Sequence, residues 1–465
     1  MTKTNLERSL SYCLMALLFL LPWQTIWLTK ERFLNGVKWE YGTLGVYATE
    51  ILLWTCAILF IFWYWPRAKL RVTSYPASGR DPAHGGGGLR VTKDRLFVFA
   101  CLLFTLYSLL SSLWSSDRDL AFQHTLRVME AFILFFMLLL GPITWRAAAG
   151  WFVAGAAAQS ILGIWQFLSQ STIAVKWLGL AAHPAWEAGT AVVASSEIGR
   201  WLRAYGAFPH PNVFGGYLVV GLILTTLLYK TCTTNRTNRL TFCILHFPPW
   251  AGPRPLAVAA FCIQTAALFF TFSRSAWLAW AIWMAGWLIW HKTDKAWAGS
   301  KWSIVNFQLS IFVILAIIFL PLVQTRISGT ATNELTSTAD RLSGFGEAGQ
   351  LFRLSPWLGV GPGHYTVAAH ALNPNRPGWE YQPVHNVPLL MLVELGVIGV
   401  TLFGAVIISA TSNQGSRIRD PVFLISLFSF LPIFLLDHYL YSTYLGLIIS
   451  ATYLALVSRN NNSTP

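Results

Sequence analysis

Three short stretches of this chain combine residue types that can hold an anion and handle a proton. The first is Arg203-Ala-Tyr-Gly-Ala-Phe-Pro-His210-Pro-Asn212, which leads into a long apolar run. The second is Thr271-Phe-Ser-Arg274-Ser, a very tight reversal between two apolar runs. The third is His385-Asn386, which opens another run and is followed by Glu394-Leu-Gly396. Each stretch sits where a helix should begin. Unsatisfied N–H groups and the positive end of the helix dipole favour anions there. Pro211 fits a first turn, where its missing N–H costs little. The guanidiniums of Arg203 and Arg274 present planar forks suited to phosphate oxygens, so a pyrophosphate would match a site on which these helix starts converge. His210, Asn212, Asn386 and Glu394 are its supporting candidates.

Each residue also has a plainer reading. A boundary arginine can snorkel to lipid headgroups. His385 can be a structural hydrogen-bonder, and His210 a turn or capping residue. Arg127 and Glu130, three apart within one apolar run, can neutralise each other on a helix face or line a polar cavity. Asp437-His438 reads as a cap. Pro356-Trp-Leu-Gly359-Val-Gly361-Pro-Gly363-His364 is glycine-rich, but it does not join a strand to a helix as a nucleotide loop would. It is expected to be a turn packed over the membrane mouth. The sequence offers no paired aspartates in the candidate external loops, no Walker motif and no histidines at metal spacing. No metal or cofactor is therefore expected, and arginines would stand where Mg²⁺ otherwise stands.

The elements that must position these residues are membrane helices. Of 465 residues, 55% are hydrophobic and only 11% charged, against about 25% charged in soluble proteins. Apolar runs near 10–28, 46–65, 96–113, 119–140, 147–168, 213–229, 255–272, 275–290, 303–323, 386–409, 421–436 and 440–458 make about twelve spans of bilayer length. The fold expected is an all-α integral membrane protein of about twelve transmembrane helices, with a large external loop, 324–385, between the ninth and tenth spans. The 10–28 run is too long for a signal peptide, contains Pro22-Trp23-Gln24 and lacks a small-residue cleavage site, so a retained first helix is expected. The net charge of +14 does not point to nucleic acid, because the basic residues recur in short loops between spans. There they set orientation, which makes the 66–95 connection cytoplasmic and both 169–212 and 324–385 external. The Gly85–Gly88 run reads as a linker. Cys13, Cys56, Cys101 and Cys262 lie in apolar runs and Cys232 and Cys243 in a loop, without a disulfide or metal pattern.

At these residues the sequence resembles the O-antigen ligase and polymerase superfamily of bacterial envelope glycosyltransferases. The resemblance rests on Arg203–Asn212 with its Pro-His-Pro-Asn core, Ser273-Arg274, Pro356–Gly363, His385-Asn386 with Glu394-Leu-Gly396, and Gln166 near the end of the fifth span. It covers roughly 150–450, which suggests N-terminal helices over 1–168 and a ligase-like region over 169–465. It implies an enzyme of the cytoplasmic membrane that transfers a glycan from an undecaprenyl-diphosphate carrier, at the outer face, to an acceptor hydroxyl. The acceptor would be a glycolipid, a glycan or a protein. It also implies that Arg203 and Arg274 bind the diphosphate, with Arg200 competing for the first role, and that His385 activates the acceptor. A polymerase or a protein-glycosylating enzyme would use nearly the same donor site. A transporter is the alternative from another class, and it would show broken helices, midplane polar residues and internal repeats.

Overall fold

The computed structural model describes residues 3–73, 87–234, 253–293, 302–329, 332–413 and 421–460. Among them run sixteen α-helices. The first five are α1 Lys3–Leu20, α2 Ala48–Thr73, α3 Gly87–Ser111, α4 Arg118–Leu140 and α5 Trp145–Ser169. Local signals set their ends: the Asp117 side chain accepts from the Leu120 N–H at the start of α4, and Thr144 accepts from the Ala147 N–H at the start of α5. Next come α6 Pro211–Thr234, α7 Pro253–Phe270, α8 Arg274–Thr293, α9 Trp302–Ile318 and α10 Leu320–Ser328. The chain continues through α11 Thr332–Leu354, α12 Tyr365–Leu372, α13 Val387–Asn413, α14 Pro421–Leu436, α15 Tyr439–Ser442 and α16 Tyr444–Asn460.

Each expected apolar run contributes to a helix, but the lengths differ. Five helices among the described residues are long and apolar enough to cross a bilayer: 48–65, 118–140, 145–169, 211–230 and 387–410. A sixth span arises if α9 and α10, bent by 91°, count as one. Arg95–Ser111, Leu256–Phe270, Pro421–Leu436 and Tyr444–Arg459 are shorter apolar helices. The molecule is a multi-pass, mostly helical membrane protein. Lipid-facing and inner helices differ sharply. The α6 span is 94% buried and the α2 span 33%, so α6 is the helix around which the others pack. On α3, Leu96, Phe99, Leu102, Leu106 and Leu109 stay exposed, as expected where the surrounding solvent is itself apolar.

The sequence reading needs correction in several places. The 10–28 run is not one helix: α1 stops at Leu20, because Pro22 lacks an N–H and disfavours helix at the residue before it. Residues 26–30 form a strand, β1 (Ile26–Lys30), paired antiparallel with β4 (Leu44–Tyr47). Between them β2 (Phe33–Leu34) and β3 (Val37–Lys38) close a hairpin through Asn35-Gly36, both at positive φ (51° and 78°). Asn-Gly is the two-residue sequence that tolerates this geometry best. A third pair, β5 (Val192–Ser195) with β6 (Gly199–Leu202), makes the protein mostly rather than wholly helical. The 303–323 run breaks at Phe319, with Pro321 in the first turn of α10. The expected 324–385 loop carries α11 and α12.

Arg127 and Glu130 do not pair with each other. Arg127 meets Glu50 of α2 at 3.2 Å and the Gly45 carbonyl at 3.0 Å, while Glu130 accepts from Trp54 Nε1. Of the Gly85–Gly88 run, Gly85 and Gly86 lie outside the described residues, and Gly87 and Gly88 begin α3. Cys243 also lies outside them. Cys13, Cys56, Cys101 and Cys262 are free thiols on α1, α2, α3 and α7.

The loops at one end of the bundle are stitched together. Thr25 Oγ1 donates to the Trp177 carbonyl (2.8 Å), and Asn35 Nδ2 to that of Pro374 (2.7 Å). The Ala204 N–H donates to the Phe270 carbonyl (2.9 Å), and Asn386 Nδ2 to that of Leu435 (3.0 Å). The three sequence clusters lie at this end.

Candidate active site

Residues 203–208 are buried, so their polar groups need partners, and α5 supplies them through a row of glutamines. Gln170 Oε1 accepts from the Leu202 N–H (2.8 Å), Gln166 Oε1 from those of Tyr205 (3.1 Å) and Gly206 (2.7 Å), and Gln159 Oε1 from that of Ala207 (2.8 Å). Gln166 Nε2 returns a bond to the Gly206 carbonyl (2.9 Å). This ladder presses the stretch against the end of α7 and turns Arg203 inward, leaving it 4% exposed.

Arg203 Nε donates to the Thr271 carbonyl (2.7 Å), and one of its terminal nitrogens to Asn212 Oδ1 (2.7 Å). Only Thr271, Phe272 and Ser273 separate α7 from α8. Phe272 makes the reversal by adopting φ +47°, a strained value for a bulky residue. The next carbonyl along, that of Phe272, accepts from Arg326 Nε at 2.9 Å. Two arginines from distant segments thus cap consecutive carbonyls at the C-terminal end of α7, where cations are favoured. Arg274, half-buried, is the first residue of α8. Asp437 ties the cluster together: its Oδ1 accepts from Asn212 Nδ2 (3.1 Å) and its Oδ2 from Ser275 Oγ (2.7 Å). Arg200 points elsewhere, donating to the carbonyls of Ala185 (2.6 Å) and Glu187 (3.2 Å).

The histidines gather beside the arginines. His385 is half-buried, and its ring lies 4.9 Å from that of His438, edge to face at 81°. His210 Nδ1 accepts from the Asn212 N–H (3.1 Å) at the start of α6, a capping bond. Burial, then the charges of Arg203, His385, Arg326 and His438, hold the pKa of His210 well below the ordinary range. His210 is a neutral cap. Asn386 caps α13, accepting from the Leu389 N–H (2.9 Å).

Glu394 lies apart from this group. Its carboxylate accepts from the N–H groups of Gly363 (2.7 Å) and Tyr365 (3.1 Å), so it holds the Pro356–Gly363 segment. That segment packs into a break in α13, where Gly396 takes φ 66°, ψ −175°. The Val360 and Gly361 N–H groups donate to the Val393 and Glu394 carbonyls, and the Val397 and Ile398 N–H groups to those of Pro356 and Trp357. His364 accepts from the Asp117 N–H at Nε2 (3.0 Å), so its proton sits on Nδ1 and is donated to the Pro362 carbonyl (2.9 Å). A Cβ on Gly396 would collide with the Trp357 carbonyl. Gly396→Ala is therefore expected to lower stability by about 3 kcal/mol or more, read as an early unfolding transition of the detergent-solubilised protein by tryptophan fluorescence.

Residues 258–404, from within α7 to within α13, match the family model described as O-antigen ligase. The chain carries an O-antigen ligase superfamily domain. Among curated proteins no sequence matches the chain. Arg274, Arg326, His385, Asn386 and Glu394 fall inside the O-antigen ligase match, while Arg203, His210, Asn212 and Asp437 fall outside it and join it through the bonds above. The family points to a glycosyltransferase-type enzyme acting on glycan and lipid-linked substrates in a membrane. Sequence reasoning missed Arg326 and the bridging role of Asp437. The signal for Arg326 was its position just after the ninth apolar run, on the side assigned as external, where basic residues are fewer.

Proposed function

We propose that this protein transfers a glycan from an undecaprenyl-diphosphate carrier to an acceptor hydroxyl at the outer face of the cytoplasmic membrane, as a ligase of its superfamily. The observation that carries the reading is the convergence of Arg203 and Arg326 on the α7–α8 turn, where Arg274 begins α8, with Asp437 linking that turn to the start of α6. We assign this chemistry to residues 169–465, with 1–168 as supporting N-terminal helices.

In the proposed mechanism His385 accepts the proton of the acceptor hydroxyl as its oxygen attacks the anomeric carbon. The new bond is carbon–oxygen, and the bond that breaks joins that carbon to the diphosphate oxygen. The electron pair leaves on the diphosphate, where Arg203, Arg274, Arg326 and the N-terminal ends of α6 and α8 face the growing charge. Displacement from the opposite side inverts the anomeric centre. The guanidiniums supply the positive charge, so no metal takes part.

The break in α13 is a feature expected of transporters, but the chain's own 356–363 backbone is hydrogen-bonded across it, which favours a fixed scaffold over a moving gate. The decisive assay incubates the purified protein with a lipid-diphosphate-linked glycan and a panel of glycolipid, glycan and peptide acceptors, with EDTA present. Transfer to a saccharide acceptor at an undiminished rate is expected. Transfer to Ser or Thr peptides alone would make it a protein-glycosylating enzyme. Loss of transfer in EDTA with recovery on Mg²⁺ would refute the metal-free mechanism.

A further inference from the structure

We propose that His438 is a positioning residue for His385, and that Tyr41, carried in on the N-terminal hairpin, fixes His438, so that the hairpin forms one wall of the site. This rests on the reading of His385 as the base. His438 opens α15 but makes no side-chain capping bond. Its Nδ1 lies 2.7 Å from Ser442 Oγ, and its Nε2 lies 3.5 Å from the Tyr41 hydroxyl. A hydroxyl can donate or accept, so either tautomer of the ring is accommodated. Asp437, next in the chain, turns its carboxylate to Asn212 and Ser275 instead. The His438 ring, 8% exposed, meets neutral hydroxyls at both nitrogens, and burial, then the charges of His385 and Arg341, hold its pKa well below the ordinary range.

That neutrality matters to its neighbour. An imidazolium forming on His385 during transfer would lie against a neutral ring, centroids 4.9 Å apart and at 81°, rather than against a second like charge, and the ring contact fixes the His385 orientation. A charged or missing ring would remove that arrangement.

Tyr41 can hold His438 because the hairpin that carries it is anchored twice. Trp39 is buried beneath it. The Asn35 side chain donates to the Pro374 and Arg376 carbonyls, on the segment that runs up to His385. The Tyr41 ring also meets the His438 ring edge on, at 5.7 Å.

The test compares His438→Leu and Tyr41→Phe with His385→Gln in three readouts: donor binding, turnover in transfer, and the imidazole ¹⁵N resonances of His385 in the labelled, detergent-solubilised protein. The expected result is a fall in turnover of about 2- to 12-fold in His438→Leu and Tyr41→Phe, the range of an aromatic ring pair. Donor binding should stay unchanged, the His385 resonances should move, and the double variant should lose less than the product of the singles. If His385→Gln abolishes transfer while neither other variant moves turnover or the His385 resonances, the positioning role is overturned and the base stands. If His385→Gln leaves transfer intact, the base reading fails instead. The resonances then decide alone, with a shift supporting the His438 contact and its absence overturning it.

Discussion

His385→Gln should cut glycan transfer by about 10²–10⁴-fold, the usual contribution of a general base, while binding of the lipid-diphosphate donor persists. The split follows from the layout of the site. The donor-facing charge comes from Arg203, Arg274 and Arg326, which cap or begin helices around the α7–α8 turn and do not depend on the His385 ring for their bonds to Thr271, Asn212 and Phe272. Glutamine keeps a polar group of similar reach at the end of the 373–385 segment. Asn386, which caps α13 and ties it to Leu435, is left in place, so the helix start should hold. His210 is not a substitute base, because its Nδ1 lone pair is engaged by the Asn212 N–H, which leaves the ring proton on Nε2 and no free lone pair to accept another. Donor binding by isothermal titration and transfer by gel mobility of the product, on one preparation, measure the two halves. Transfer at near the normal rate would reduce His385 to a loop residue, and a protein that only moves lipid-linked glycan would show no split.

The membrane class of the fold and the order of its clusters were legible because they rest on one-dimensional signals: apolar runs, a proline at a helix start, arginines at the boundaries. The hairpin at 26–47 was not. Ile26-Trp27-Leu28 continues the apolar run that precedes it, and only Pro22 and the Asn35-Gly36 turn, read together, separate strand from span. The bent end of the ninth run hid Arg326 in the same way, since a run that turns by 91° still reads as continuous. Asp437 was taken for a cap because the sequence shows its neighbour His438 but not Asn212 and Ser275, which lie far away in the chain and reach it only through packing. Glu394 was read with His385 because it sits about two turns into the helix that begins just after His385. Its carboxylate instead holds the Gly363–Tyr365 backbone.

Of Arg200 and Arg203, only the second should matter to the donor. Arg203→Lys should keep the fold but weaken donor use by about 10- to 150-fold. An ammonium can reach the Thr271 carbonyl or Asn212 Oδ1 but cannot reproduce the planar fork, and a hydrogen bond to a charged group is worth about 1.5–3 kcal/mol. Arg203→Ala should do more damage, leaving the Thr271 carbonyl and Asn212 without their donor in a buried site and removing the cation bonded to Asn212, the partner of Asp437. That loss should appear as lower thermal stability by about 3 kcal/mol, so the Lys variant is the one that isolates function. Arg326→Lys should behave like Arg203→Lys, because Arg326 caps the adjacent Phe272 carbonyl. Arg200→Ala is the control: its guanidinium serves the Ala185 and Glu187 carbonyls on an exposed loop, and donor affinity should stay within about threefold of the parent, as for most surface changes. Titrating each variant with the lipid-diphosphate glycan, alongside its melting curve, separates the outcomes. Full donor affinity in both Lys variants would remove the diphosphate from this cluster, and a loss in Arg200→Ala as large as in Arg203→Lys would move it toward the β5–β6 loop.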